Sequence, residues 1–176
     1  MRTEFRLSGS GGQGLLLAGI VLSEAAILED KNVVQTQSYG PEARGGSSKA
    51  EVVISDTDID YPKCTNPDYL LCLTATSYNA YGPMQDNGVI IVDSSIKLDP
   101  EIKAKTVAVP ILEATKKIGK MIVTNMVALG VIVNLSGIVT QKTLEKAVLD
   151  RVPKGTEELN LAALKAGFEL AAKFKS

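Results

Sequence analysis

Residues 4–19 read EFRLSGSGGQGLLLAG, and the order of types in this stretch decides the fold class. Residues 4–8 suit a strand, Gly9-Ser10-Gly11-Gly12-Gln13-Gly14 a glycine loop, and residues 15–29 a helix that is apolar nearly all round at its start. A strand that enters a glycine turn and leaves as a buried helix is the opening unit of an α/β sheet domain.

Working outward, residues 33–38 and 50–55 read as two more strands with no helix between them, so if they pair they pair antiparallel. In the second, Ala50, Val52 and Ile54 alternate with Lys49, Glu51 and Val53. Residues 70–74 and 89–92 are short apolar runs of the buried-strand type, separated by a helix-compatible stretch over 75–84 and the turn Asp86-Asn87-Gly88. Residues 105–109 make a last strand, ending at Pro110. From residue 124 the chain turns helical, over 124–135, over 140–149 with Thr140 as N-cap, and over 157–174. The expectation is one α/β domain over residues 1–176, a Rossmann-like three-layer arrangement with a mixed, mostly parallel sheet and extra C-terminal helices.

Composition removes several classes of function. A net charge of −1 provides no field to attract nucleic acid or anionic lipid. The most apolar stretch, residues 121–135, is broken by Thr124, Asn125, Gly130 and Asn134 and is shorter than the about 20 residues a membrane span needs. Residues 1–6 lack the order of a signal peptide, so a cytoplasmic location is expected. The two cysteines, Cys64 and Cys72, fall short of the roughly four thiolates an iron–sulfur cluster takes. With no histidine in the chain, Ser/His/Asp and Cys/His catalysis and most zinc sites are also unavailable. Chemistry served by this chain is therefore expected on a cofactor or on a partner chain, and no catalytic or metal-ligating residue is assigned.

The turn over residues 9–14 fits G-x-G-x-x-G, where backbone N–H groups and the helix dipole can receive an anion. A dinucleotide site also wants an acidic residue about 20 positions on, yet Gln35, Thr36, Gln37 and Ser38 stand there. The alternative is a purely conformational role, with glycines allowing a tight turn and close helix packing. The second informative loop is Ser38-Tyr39-Gly40-Pro41-Glu42-Ala43-Arg44-Gly45-Gly46-Ser47, longer than an ordinary hairpin connection. Its Arg44, flanked by glycines, could approach a phosphate or carboxylate and hold it through two parallel hydrogen bonds. Its plainer reading is a solvated surface loop.

Residues 9–19, residues 38–47 with 51–55, and Asn125-Met126-Val127-Ala128-Leu129-Gly130 together resemble the gamma chain, or equivalent internal domain, of the 2-oxoacid:ferredoxin oxidoreductases. That family includes pyruvate, 2-oxoglutarate, branched-chain oxoacid and indolepyruvate enzymes. The three blocks keep the family's order and spacing, and the likeness runs from about residue 4 to the C-terminus.

The resemblance implies oxidative decarboxylation of a 2-oxoacid with coenzyme A, giving an acyl-CoA, carbon dioxide and reduced ferredoxin. It implies thiamine diphosphate on alpha and beta chains and iron–sulfur clusters that pass electrons on, with a ferredoxin-type delta chain as a further partner. This chain would bind no cofactor alone and would complete the complex near coenzyme A, with a homodimer as a possible state when isolated. The implied contact residues are Gly9, Ser10, Gly11, Gly12, Gln13 and Gly14 in one turn, and Tyr39, Gly40, Glu42, Arg44, Gly45 and Gly46 in the other. Two rival readings stay open, a stand-alone NAD or FAD module and a purely structural subunit.

Overall fold

Nine residues, Arg2–Ser10, extend as strand β1, and nine more, Ser47–Ser55, run antiparallel beside them as β3, pairing Arg2 with Ser55 and Ser10 with Ser47. This pairing is why both strands outrun the sequence expectation and why Gly9 and Ser10 belong to the strand and not to the loop. The computed structural model describes residues 1–38 and 47–175. Among them lie β2 (Asn32–Ser38), β4 (Tyr69–Cys72), β5 (Val89–Asp93) and β6 (Lys105–Val109), and the sheet order is β2-β3-β1-β4-β5-β6. β3 is antiparallel to both of its neighbours, whereas β1, β4, β5 and β6 pair in parallel. The sheet is thus mixed and mostly parallel, as expected.

Alternation along β1 sorts the two faces. Phe5 and Leu7 look into the larger core with Val52, Ile54, Leu71 and Ile91. Helices α1 (Leu15–Leu28), α3 (Ile111–Ile118), α4 (Thr124–Ser136), α5 (Gln141–Arg151) and α6 (Glu157–Ala172) supply the rest of that core. The opposite face is covered by α2 (Ala75–Tyr81) and by residues of the segment 94–104, with Tyr78, Ile96 and Ile102 packed on Leu70, Cys72, Ile90 and Val92. The layering is therefore lopsided, with five helices on one face and one short helix on the other among the described residues.

α4 is apolar on every side, and Thr124 through Val133 are all buried. Such a helix must be wrapped by protein, and α6 wraps it most closely. A Cβ at Gly130 would meet the Leu164 carbonyl oxygen at 2.4 Å, and one at Gly167 would meet the Val127 carbonyl oxygen at 2.1 Å. The two backbones touch at this crossing because neither carries a side chain there.

Thr140 caps α5 as expected, its hydroxyl accepting from the Thr143 amide at 3.2 Å. α3 was not anticipated. It begins after Pro110 and ends at Gly119 in the left-handed conformation, and the buried Asp93 carboxylate receives its Leu112 amide at 2.8 Å. None of the described helices is long and apolar enough to cross a membrane.

Candidate functional site

At their C-terminal ends β1, β4, β5 and β6 share one rim of the sheet. β1 feeds α1 on the larger-core face, and β4 feeds α2 on the opposite face. The crevice between the ends of β1 and β4 is therefore a topological switch point, the place where open α/β sheets receive ligands. The glycine turn sits there.

The turn has two held ends and an open middle. At its start, the Gln13 side-chain Oε1 accepts from the Ser10 amide at 2.8 Å, while the Gln13 amide donates to the Ser10 carbonyl at 3.2 Å. A Cβ on Gly9 would crowd that Oε1, so a side chain at position 9 would push the Gln13 carboxamide off the Ser10 amide. At its end, Gly14 has φ +70°, and its Cβ would lie 2.6 Å from Nδ2 of Asn125. In the middle, Gly11 and Gly12 are exposed, and a Cβ on either would touch nothing within 4 Å.

α1 starts without a side-chain cap and without an acidic residue in its first turn. Amides in a first helical turn have no partner within the helix, and the aligned peptide dipoles make that end attractive to an anion. The residues present thus suit a phosphate-bearing group approaching over Gly11 and Gly12, with Gln13 turned inward to hold the loop's shape. An ordinary dinucleotide site does not fit. In that fold the second strand lies beside the first and carries the ribose-binding acid, whereas here β3 separates β1 from β2.

The segment holding Tyr39, Gly40, Glu42, Arg44, Gly45 and Gly46 lies outside the described residues. Its anchors are described. Ser38, the last residue of β2, pairs with Lys49, and Ser47 pairs with Ser10, so the chain leaves and re-enters the sheet at the rim that carries the glycine turn.

Below the rim on the α2 face, Arg6, Lys49, Glu51 and Tyr81 form a linked group. Glu51 takes Arg6 on one oxygen at 3.1 Å and Lys49 on the other at 3.2 Å. Both cations also lie over the Tyr81 ring, at 5.4 and 5.6 Å from its centroid, and Arg6 donates further to the Cys64 carbonyl at 3.2 Å. This group ties β1, β3, α2 and the segment around Cys64 together. Lys49 and Glu51 read from the sequence as one side of an alternating strand, but their opposition to Ser8 and Arg6 and the partnership with Tyr81 do not. Asn125 likewise reads from the sequence only as part of a motif. Nothing in its local sequence connects it to a glycine 111 positions away.

The family model described as pyruvate ferredoxin/flavodoxin oxidoreductase matches residues 4–170. A 2-oxoglutarate synthase subunit KorC from Methanocaldococcus jannaschii is 50% identical over 177 residues, covering 97% of this chain and 95% of its own. A ketoisovalerate oxidoreductase subunit VorA from Methanothermobacter thermautotrophicus is 32% identical over 94% of this chain but only 36% of its own length. The crystal structure of a keto/oxoacid ferredoxin oxidoreductase gamma subunit from Geobacter sulfurreducens matches with a TM-score of 0.89 at 46% identity, covering 100% of this chain and 99% of that one.

Proposed function

Because this chain belongs to the pyruvate ferredoxin/flavodoxin oxidoreductase family, we infer that it is the gamma subunit of a 2-oxoacid:ferredoxin oxidoreductase whose oxoacid is 2-oxoglutarate. The reaction is 2-oxoglutarate with coenzyme A and two oxidised ferredoxins, giving succinyl-CoA, carbon dioxide and two reduced ferredoxins. The observation that carries this reading is near-full-length identity of 50% with a 2-oxoglutarate synthase subunit.

The partners are alpha and beta chains and a ferredoxin-type delta chain, working together in the cytoplasm. Thiamine diphosphate on the partner chains supplies the carbon chemistry when bound. The iron–sulfur clusters also belong to partners, in keeping with a chain whose only two cysteines are buried.

The part given to this chain is to present donors to coenzyme A and to keep water from the shared site. Gly11, Gly12 and the first amides of α1 receive a phosphate of coenzyme A, supported by their open surroundings and the uncapped helix start. Arg44, on sequence grounds alone, adds a second anion contact from the neighbouring segment. The turn's other residues, Gly9, Ser10, Gln13 and Gly14, hold its shape.

Two measurements test this. Purification of the chain from its native cell should bring thiamine-binding chains with it, and their absence would overturn the assignment as a subunit. In the assembled enzyme, Arg44→Ala and Gly12→Val should each raise KM for coenzyme A. Unchanged KM and kcat in both would remove this chain from the coenzyme A site and leave a purely structural role.

A further inference from the structure

Asn125 is 4% exposed, yet both ends of its carboxamide are engaged. Its Nδ2 donates to the Gly14 carbonyl at 3.1 Å, and its Oδ1 accepts from the Met126 amide at 2.9 Å. The same Gly14 carbonyl accepts the first helical bond of α1, from the Ala18 amide at 3.1 Å. One side chain thereby ties the N-terminal end of α4 to the last residue before α1, and that residue is already in the left-handed conformation.

We infer that Asn125 is a positioning residue, which sets the direction in which Gly11, Gly12 and the first amides of α1 point across the rim. The inference rests on the reading of that turn as a coenzyme A contact and adds to it what holds the contact in place. The argument is geometric. The middle of the turn is exposed, and a Cβ at Gly11 or Gly12 would touch nothing within 4 Å. Its shape comes from the two ends, where Gln13 holds Ser10 and Asn125 holds Gly14. Gln13 holds the start of the turn to the end of β1, where Ser10 pairs with Ser47. Asn125 stands on a helix buried through ten consecutive residues, so it refers the far end of the turn to the rigid core.

Coordinated donors bind an anion well only when their directions are fixed before it arrives. Asn125→Asp keeps size and the acceptor toward Met126 but turns the donor facing Gly14 into a second oxygen. Asn125→Ala removes the donor without adding repulsion. The experiment compares both with Gly12→Val in the fully assembled enzyme, reading KM for coenzyme A, kcat and the thermal midpoint. Asn125→Asp should raise KM about tenfold, and Asn125→Ala by several-fold, with kcat within about twofold. If Asn125→Asp fails to assemble, Asn125→Ala decides. A rise in KM for Gly12→Val with unchanged KM for the assembled Asn125 variants would overturn the positioning role and leave the coenzyme A reading standing. Unchanged KM in Gly12→Val as well would overturn both. A lower midpoint with unchanged KM would mark Asn125 as structural only and also sink the inference.

Discussion

Gly9 and Gly14 are glycines for reasons internal to the chain, whereas Gly11 and Gly12 have none. Replacing Gly14 by alanine forces a side chain into a left-handed backbone, costing about 1–2 kcal/mol before the encounter with Asn125 is added. Gly12→Ala should leave stability within about 0.5 kcal/mol. Urea unfolding of the two variants checks the contrast. The motif was legible as a unit, but its division into held and open positions was not, because the holding group at its far end comes from residue 125. A second expectation concerns Glu4. Burial alone would raise its carboxyl, but hydrogen bonds from Arg2, Asn66 and Thr65 outweigh that and hold it below the ordinary glutamate range. A folded value below the unfolded one contributes stability above the unfolded pKa, roughly 4.3, which is lost as pH falls through the folded value. Unfolding measured from about pH 6 down to about pH 3 should show this acid limb, and Glu4→Gln should flatten it.

At the level of elements, the crossing of α4 and α6 is set by two glycines that the sequence shows only as interruptions of apolar runs. Gly167→Ala would place a methyl group 2.1 Å from the Val127 carbonyl oxygen. Backbone cannot yield there as a flexible side chain would, so a loss of about 2–3 kcal/mol is expected, read from the thermal midpoint. The burial of α4 itself was legible, since a helix with no polar side has nowhere else to go. α3 escaped because it is short and its first-turn amide is held by Asp93, on the preceding strand but one. Its punctuation was nonetheless present, with Pro110 before it, Lys116 and Lys117 in its last turn and Gly119 after it.

For the whole molecule, the strand order could be read only in part. The antiparallel return of β3 follows from the eight residues, 39–46, between β2 and β3, too few for a parallel crossover. Its insertion between β1 and β2 does not follow from either segment, because it depends on Arg6 and Ser8 meeting Glu51 and Lys49 across the sheet. The thiols report on the cohesion of this arrangement. Burial pushes the Cys72 thiol up to about 11 despite the hydroxyls of Ser8 and Ser77, and burial with the nearby Glu51 carboxylate pushes Cys64 up as well. Neither is a thiolate at neutral pH, so a disulfide reagent should titrate neither in the native protein and both in urea. Cys72 sits in β4, inside the sheet, so its labelling rate should track global opening.

β1 and β2 share no edge, and each of them borders β3. During synthesis, the first 46 residues would therefore emerge with two strands and no native ladder between them, and the growing chain stays uncommitted until Ser47–Ser55 arrives to bridge the gap. A nascent polypeptide stalled before that point should be readily digested by protease, and one stalled beyond it should begin to resist.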